Sequence, residues 1–361
     1  METSFIYIIY GISVLYFSFL FAAFIFSFIK DKNKIKKDKN FSEPRSFSIV
    51  ILINTIDDFI EENVRGILNQ KSEYLHLHEF IVIDRTNNLE LLKEIGYDYP
   101  DIKKMYFQTP KMTVEIIREI LEHKSSGERF LFIHSNDAVS ENWLTSMEKY
   151  SSHDTDVILG KHLIAVDEEK PQYFRAIDQL YKSVLQRTLS RFNFTAYSRF
   201  TNLMFKRRSF LENINIREMS KEMIGDDPET TIISTVKQNI KALVLYKLEE
   251  NIWKNELIDK SVLNISFYIL SMLMNILPLV LFLAYLKSDI SILAMIIIMF
   301  GKFIGEGLVI SRGARIYSMQ NLLNDFWGWY FFNPPLSFVT FILSAFIPSR
   351  FYMLKKNEEQ K

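Results

Sequence analysis

The sequence predicts an α/β domain with a mainly parallel sheet, joined to one N-terminal hydrophobic helix and two to three C-terminal ones. Three observations carry that expectation. Uncharged apolar runs stand near both ends of the 361-residue chain. Between about residues 45 and 257, short apolar runs of β type alternate with amphipathic stretches. Acidic residues fall at or just past the ends of those short runs, where open α/β sheets bind their ligands.

The first run, residues 5–29, carries no charge and is long enough to cross a hydrocarbon core of about 30 Å as a tilted helix. A cleavable signal peptide fits poorly. No basic region precedes the run, its apolar part is too long, and no small-residue cleavage site follows. Residues 30–39 hold six lysines against two aspartates. The positive-inside trend therefore places this flank in the cytoplasm and the N-terminus outside. Residues 30–44 read as a basic, solvated linker within reach of anionic headgroups.

At the other end, residues 262–286 are again uncharged and predict a second span. Residues 290–310 predict a transmembrane or interfacial helix with Lys302 and Glu306 on one face, four residues apart, where they can pair. Gly301, Gly305 and Gly307 allow close helix packing at the same place. Residues 326–347 are apolar but broken by Asn333-Pro334-Pro335, which predicts a kinked or re-entrant segment, or a helix that begins at the prolines. Three full C-terminal spans would leave Lys355 and Lys356 outside, so one of the last two segments is expected to be interfacial or re-entrant.

Composition narrows the chemistry. There is no cysteine, so disulfides and thiolate-bound metals are excluded. Lys+Arg and Asp+Glu both number 43, which gives no global electrostatic argument for nucleic acid. The aromatics gather at the two ends and read as membrane and interface packing.

Within the middle domain, residues 47–53 (FSIVILI) read as a buried strand and residues 60–69 as an amphipathic helix. Residues 80–83 form a second strand ending at Asp84, and residues 104–107 a third. A helix over 114–123 precedes a fourth strand at 129–133, followed by His134-Ser135-Asn136-Asp137. This rhythm predicts βαβ units, and it nominates Asp84 and Asp137 as lining one site. Further on come a helix near 173–190, a strand-like 202–206, and Gly225-Asp226-Asp227-Pro228-Glu229-Thr230 opening a helix to about Gln238. An Asp before Pro is an ordinary helix cap, but two adjacent aspartates after a glycine exceed what capping requires. His76 and His78 alternate ahead of the second strand, where a packing role outweighs a metal-binding one.

The order of these pieces resembles the membrane-bound family 2 glycosyltransferases over roughly residues 45–250. Residues 47–70 (FSIVILINTIDDFIEENVRGILNQ) are similar to that family's first strand, acidic turn and helix ending in Gln. Residues 79–88 (EFIVIDRTNN) stand where it writes a strand and Asp-Asp-x-Ser. Residues 132–144 (FIHSNDAVSENWL) stand where it writes a strand, Asp-x-Asp and a Trp-Leu helix start. Residues 201–208 (TNLMFKRR) with Gly225-Asp226-Asp227 resemble its Asn-Met-Ala-x-Arg-Arg and Glu-Asp segments, and Ser349-Arg350-Phe351-Tyr352 resembles a closing basic-aromatic motif.

The resemblance implies a GT-A fold and a hexosyltransferase reaction. The donor would be a nucleotide-diphosphate sugar, a UDP-sugar foremost, and the acceptor a lipid or lipid-linked molecule. It implies a nucleotide-sugar half at 45–150, an acceptor half at 151–257, and a bacterial inner membrane with the domain in the cytoplasm. Asp57 would stand by the uracil and Asp84 by the base or ribose, with Arg85 a further nucleotide-sugar-binding residue. Asn136 and Asp137 would line the metal–diphosphate region, and Arg207 would supply positive charge. Asp227 would be the general base, with Asp226 beside it opposing its ionisation by like-charge repulsion.

The departures are specific. Arg85 occupies the second Asp of Asp-Asp-x-Ser, Asn87 replaces its Ser, and His134-Ser135-Asn136 stands in place of Asp-x-Asp. Three consequences stay open. His134, Asn136 and Asp137 could bind Mg²⁺ or Mn²⁺ weakly; Arg85 or Lys206-Arg207-Arg208 could neutralise the diphosphate without a metal; or the chain is an inactive scaffold or regulator of another membrane enzyme.

Overall fold

The computed structural model describes residues 2–28, 45–53, 60–86, 103–109, 113–151, 155–165, 173–190, 201–212, 219–223, 228–234, 262–287 and 290–346. In chain order the first elements are α1 (Glu2–Phe28), β1 (Phe47–Ile53), α2 (Ile60–Leu68), β2 (Glu79–Asp84), β3 (Lys104–Gln108) and α3 (Val114–Lys124). Next come β4 (Arg129–His134), β5 (Asp137–Val139), α4 (Trp143–Glu148), β6 (Val157–Leu159), β7 (His162–Ile164) and α5 (Tyr173–Ser190). The remainder are β8 (Leu203–Lys206), α6 (Arg207–Leu211), β9 (Lys221–Met223), β10 (Ile232–Ser234), α7 (Val262–Leu286), α8 (Ile292–Ile316) and α9 (Phe326–Phe346). They divide into a helical unit of Met1–Lys30, Val166–Leu189 and Lys237–Lys361, and a sheet unit of Asp31–Ala165 and Ser190–Val236.

The sheet unit is built on seven strands in the order β3-β2-β1-β4-β8-β6-β9, all parallel except β8, which runs against β4 and β6. Every residue of β1 is buried, which is why its sequence, Ser48 apart, is an apolar run rather than an alternation. One face carries Phe47, Ile49 and Ile51 against Val64, Ile67 and Leu68 of α2 and Trp143, Leu144 and Met147 of α4. Elsewhere in the unit, Phe130, Phe132, Phe205 and Phe210 pack ring on ring at centroid distances of 5.2–6.4 Å.

Register fixes the two edges. Ile53 pairs with Asp84, Leu52 with His134 and Asp84 with Gln108, so the carboxyl ends of β1 to β4 finish together. At the amino edge Glu79 is buried and accepts from Ser48 Oγ at 2.7 Å, Ser126 Oγ at 2.8 Å, the Gly127 N–H at 3.2 Å, the Ser126 N–H and Lys103 Nζ. Burial alone would raise this carboxyl; the Lys103 ammonium, the Ser126 amide and the two hydroxyls hold it down at about 2. His78 belongs to the same framework. Its Nδ1 accepts from the Phe47 N–H at 3.1 Å and its Nε2 meets Glu148 at 2.7 Å, which explains its burial without a metal.

A second sheet, β5-β10-β7, corrects one expectation. Residues 228–234 do not open a helix: Pro228–Thr230 is a single 3₁₀ turn and Ile232–Ser234 is a strand, antiparallel to β5 and parallel to β7. Ile232 is fully buried in the main core, and its β-branched side chain suits the pairing. Residues 235–238 lie outside the described residues.

In the helical unit, Ile6–Phe28, Tyr268–Leu286 and Ile292–Ile316 are long and apolar enough to cross a membrane. α9 is a fourth apolar helix. It begins at Phe326 and continues through Pro334 and Pro335, so the diproline neither starts nor ends it. α1 and α8 run in the same direction. A Cβ added at Gly301 would meet Phe17 at 2.9 Å and one at Gly305 would meet Leu20 at 2.9 Å, so these glycines set the helix spacing. Next to them Lys302 and Glu306, 1% and 2% exposed, form an ion pair of 2.8 Å. Tyr16 donates to Glu306 Oε1 at 2.7 Å, and its hydroxyl lies 3.2 Å from that of Tyr181 on α5. Lys302 Nζ stands 4.9 Å over the Tyr330 ring. α5, which the periodicity placed with the α/β domain, thus packs in the helical unit, where Leu180 and Val184 close on Gly313.

Candidate functional site at the carboxyl edge of the sheet

Asp84 is the last residue of β2 and is buried. Its Oδ1 accepts from Thr86 N at 2.6 Å and Thr86 Oγ1 at 2.7 Å, the local turn that an Asp followed two residues later by Thr favours. Its Oδ2 accepts from the Tyr106 hydroxyl at 2.6 Å. Tyr106 pairs with Val82 and so is the diagonal, same-face neighbour of Asp84. Burial first, and then the bond to Asp84 and its charge, push the Tyr106 phenol well above its usual range. Tyr106 is therefore a fixed donor. The Arg85 N–H to Ile53 carbonyl bond at 3.0 Å and the Thr109 N–H to Asp84 carbonyl bond at 2.9 Å extend the alignment beyond the strands.

The end of β4 is organised by Asp137. The His134 N–H donates to its Oδ2 at 3.0 Å, Thr201 Oγ1 donates to the same oxygen, and Ser234 Oγ donates to Oδ1. Ser234 Oγ lies 2.6 Å from His162 Nε2, which donates to it once the serine proton is committed to Asp137. One carboxylate thus ties the β4–β5 turn, the approach to β8, and β10.

Two amides brace this arrangement. Gln70, just past α2, donates to the Ser140 carbonyl at 2.9 Å and accepts from the Leu144 N–H at 2.9 Å. Asn202, in a left-handed conformation with φ 52°, accepts from Trp143 Nε1 at 3.2 Å and donates to the carbonyls of Lys161 and Thr230, both at 2.7 Å. A Cβ at position 160 would meet the Asn202 side chain at 2.3 Å, so Gly160 is required there. Ser140 Oγ donates to the Glu229 carbonyl at 3.1 Å. Residues 228–234, which directly follow Asp226-Asp227, are therefore pinned beside β5 and Asp137.

The structure accordingly brings Asp84, Arg85, His134, Asn136 and Asp137 to one edge. Arg207 is not with them. Lys206 pairs with Arg129 at the start of β4, and Arg207 donates to Ser125 Oγ at 2.7 Å and the Ser125 carbonyl at 3.0 Å. That is the amino edge, a strand length of about 16 Å away. Asp57, Asp226 and Asp227 lie outside the described residues. Tyr106, Thr201, His162 and Ser234 were not singled out by the sequence, because each acts on a partner distant in the chain: Tyr106 on Asp84, Thr201 and Ser234 on Asp137, and His162 on Ser234.

Among the described residues no three His, Cys, Asp or Glu side chains come together as metal ligands. Asp137 spends both oxygens on protein donors, and the hydroxyls around it face it with protons rather than lone pairs. On their own, these described residues make a poor divalent-ion site at Asp137.

No family model and no curated protein matches the chain by sequence. Among solved structures it is similar to the mannosyltransferase PcManGT from Pyrobaculum calidifontis in complex with GDP-Man and Mn²⁺. That match has a TM-score of 0.50 and 12% identity, and covers 95% of this chain and 96% of that one. It is also similar to residues 1–349 of S. aureus TarS in complex with UDP-GlcNAc, at a TM-score of 0.42, 11% identity, and coverage of 82% and 90%. The first likeness is one of fold: a mainly parallel α/β unit with apolar helices before and after it in sequence, matched over nearly all of both chains.

Proposed function

We propose that the protein is a membrane glycosyltransferase that moves a sugar from a nucleotide-diphosphate donor, a UDP-sugar foremost, to a lipid or lipid-linked acceptor. The observation that carries this reading is the carboxyl edge of the parallel strands. There Asp84 is held by Thr86 and Tyr106 next to Arg85, in a chain whose flanking helices are long enough to span a membrane. In the reaction an acceptor hydroxyl oxygen attacks the anomeric carbon, the bond to the diphosphate breaks, and the hydroxyl proton passes to a base. Asp227 is assigned as that base, with Asp226 beside it. Asp84 and Asp57 recognise the nucleoside, Asn136 borders the diphosphate, and Arg85 supplies positive charge to the leaving group. Asp137 holds the turn that carries Asn136. No step is routed through a metal. The lysine-rich segment after α1 supports a cytoplasmic domain, and a bacterial inner membrane is the location we propose.

A second reading, an inactive scaffold or regulator of another membrane enzyme, is favoured by one observation: both oxygens of Asp137 are occupied by protein donors. Nucleotide release separates the two. The full-length protein in detergent is given UDP- and GDP-sugars with membrane lipid extract, with and without Mg²⁺ or Mn²⁺. Release is expected from the wild type and is expected to fall by at least about 100-fold in Asp227→Asn. Absence of both turnover and nucleotide-sugar binding would overturn the transferase reading and favour the scaffold.

A further inference from the structure

The helical unit carries a convergence of positive charge that the transferase reading does not use. Arg312 lies four residues before the end of α8, turned onto the end of α1. Its guanidinium stands 4.1 Å over the Phe28 ring, and Nη2 donates to the Ser27 carbonyl at 3.2 Å. Its Nε is buried with no hydrogen-bond partner. Arg187, in the last turn of α5, and Arg315, in the last turn of α8, stand close enough to repel it. Arg315 is exposed, and among the described residues neither Arg312 nor Arg315 is paired with a carboxylate.

The ends of α5 and α8 account for part of this, because a helix C-terminus favours a cation in its last turn. That rule covers Arg187 and Arg315. It does not cover Arg312, a turn further in, folded over an aromatic ring with a buried donor unmet. Holding like charges together in a half-buried place costs free energy unless an anion joins them. The location defines the anion. α1 and α8 run in the same direction, so both end at one boundary of the spans, and α1 leads directly into the lysines of residues 30–39. What that boundary presents at high density is lipid phosphate, and guanidinium forks match phosphate oxygens in pairs.

We propose that Arg312 and Arg315, with Arg187 behind them, form a binding site for the phosphate of an anionic phospholipid headgroup where α1, α5 and α8 end. The site stands independently of the transferase activity. It clamps the end of α1 to α8 through Arg312, which already bridges the two helices.

The test uses the full-length protein in neutral detergent micelles doped with phosphatidylglycerol or with phosphatidylcholine. Retained lipid is counted by native mass spectrometry and thermal unfolding is followed by circular dichroism. Phosphatidylglycerol is expected to be retained and to raise Tm in a saturable way, while phosphatidylcholine does neither. Arg312→Gln/Arg315→Gln is expected to retain phosphatidylglycerol roughly thirtyfold more weakly. The exposed Arg315→Gln alone, expected to lose roughly fivefold, serves if the double variant does not reach wild-type helical content. Lys36→Gln/Lys37→Gln removes the same charge from the lysine-rich segment and is expected to change retention little. Equal losses in the lysine and arginine variants would mean diffuse attraction and would overturn the site. Equal retention in wild type and arginine variants would overturn it as well. Inorganic phosphate that reproduced the full Tm shift would overturn the lipid assignment.

Discussion

The two edges of the main sheet each bury a carboxylate, and they treat it differently. At the amino edge Glu79 gathers donors from Ser48, Lys103, Ser126 and Gly127, and one of those donors is a full positive charge. At the carboxyl edge Asp137 gathers donors from His134, Thr201 and Ser234, all of them neutral. Glu79 is neutralised where it stands and serves as a lock. Asp137 organises three chain segments, among them the turn that carries Asn136, and no cationic side chain is among its hydrogen-bond donors. The lesson is that burial of an acid alone does not mark a functional site; the charge of its partners separates the structural edge from the candidate one.

A buried carboxylate of the helical unit extends the comparison of Glu79 and Asp137. Glu306 has an ammonium partner, as Glu79 does, but its partner Lys302 is itself buried, whereas Lys103 is more than half exposed. Removing Glu306 should therefore have the largest effect of the three, because it leaves an uncompensated charge inside the helical unit. Glu306→Leu is expected to destabilise the helical unit by about 3–5 kcal/mol, while Lys302→Met/Glu306→Leu should recover most of that loss. Thermal unfolding in micelles followed by circular dichroism checks both. A double variant as unstable as the single one would show that Tyr16 and Tyr181, not the ion pair, carry the tie.

The next effect in size belongs to Asp137. Asp137→Asn retains one acceptor and turns an amide donor toward Ser234 or Thr201, so a cost of about 2–3 kcal/mol to the sheet unit is expected. If the carboxyl edge is the donor site, nucleotide-sugar affinity should fall as well, because β5 and β10 lose their common tie. Isothermal titration with UDP-sugars measures that affinity. A variant that loses stability but binds as the wild type does would reduce Asp137 to a second structural lock.

Glu79 gives a smaller effect with a defined pH dependence. Its carboxyl is held at about 2 in the folded protein, below the ordinary 4.5. The stabilisation is thus complete above the unfolded value and is lost as pH falls from about 4.5 through about 2. Glu79→Gln should cost about 2 kcal/mol at pH 7 and progressively less between pH 4.5 and 2, with no change in nucleotide affinity at neutral pH. Denaturant titrations across that range read the difference. A gap that stays constant with pH would mean that none of these partners favours the ionised carboxylate over the neutral acid, and that Glu79 stabilises the edge by packing and neutral hydrogen bonds alone.

Much of the fold was legible in the chain because the signals are local. A strand buried on both faces reads as a nearly unbroken apolar run, as β1 does apart from Ser48, and an uncharged run such as 262–286 has few soluble alternatives. Asp84 and the end of β4 were legible as strand ends. What was not legible depends on partners far along the chain. Thr201 and Ser234 reach Asp137 across 64 and 97 residues, and no periodicity announces a hydroxyl that distant. The strand at Ile232–Ser234 was hidden by the helix-start signal of Asp227-Pro228, which pairing with β5 and β7 overrides. The amphipathic face of α5 was plain, but an apolar stripe does not say which surface it covers, and Leu180 matches Gly313 only once the helices are assembled.

The smallest change tests the carboxyl edge most narrowly. Tyr106→Phe removes a single hydroxyl and keeps the ring, so packing beside Asp84 is preserved and only the donor to Oδ2 at 2.6 Å is lost. Stability should fall by about 1 kcal/mol. If Asp84 is only the cap of a strand, that is the whole consequence, and nucleotide-sugar binding stays as it was. If Asp84 recognises the nucleoside, freeing one oxygen loosens the carboxylate in its turn, and affinity for a UDP-sugar should fall about five- to tenfold while Thr86 still holds Oδ1. Asp84→Asn, which leaves the tyrosine a carbonyl or an amide to face, should lose more affinity than Tyr106→Phe. Equal losses would place the recognition on the tyrosine rather than on the acid.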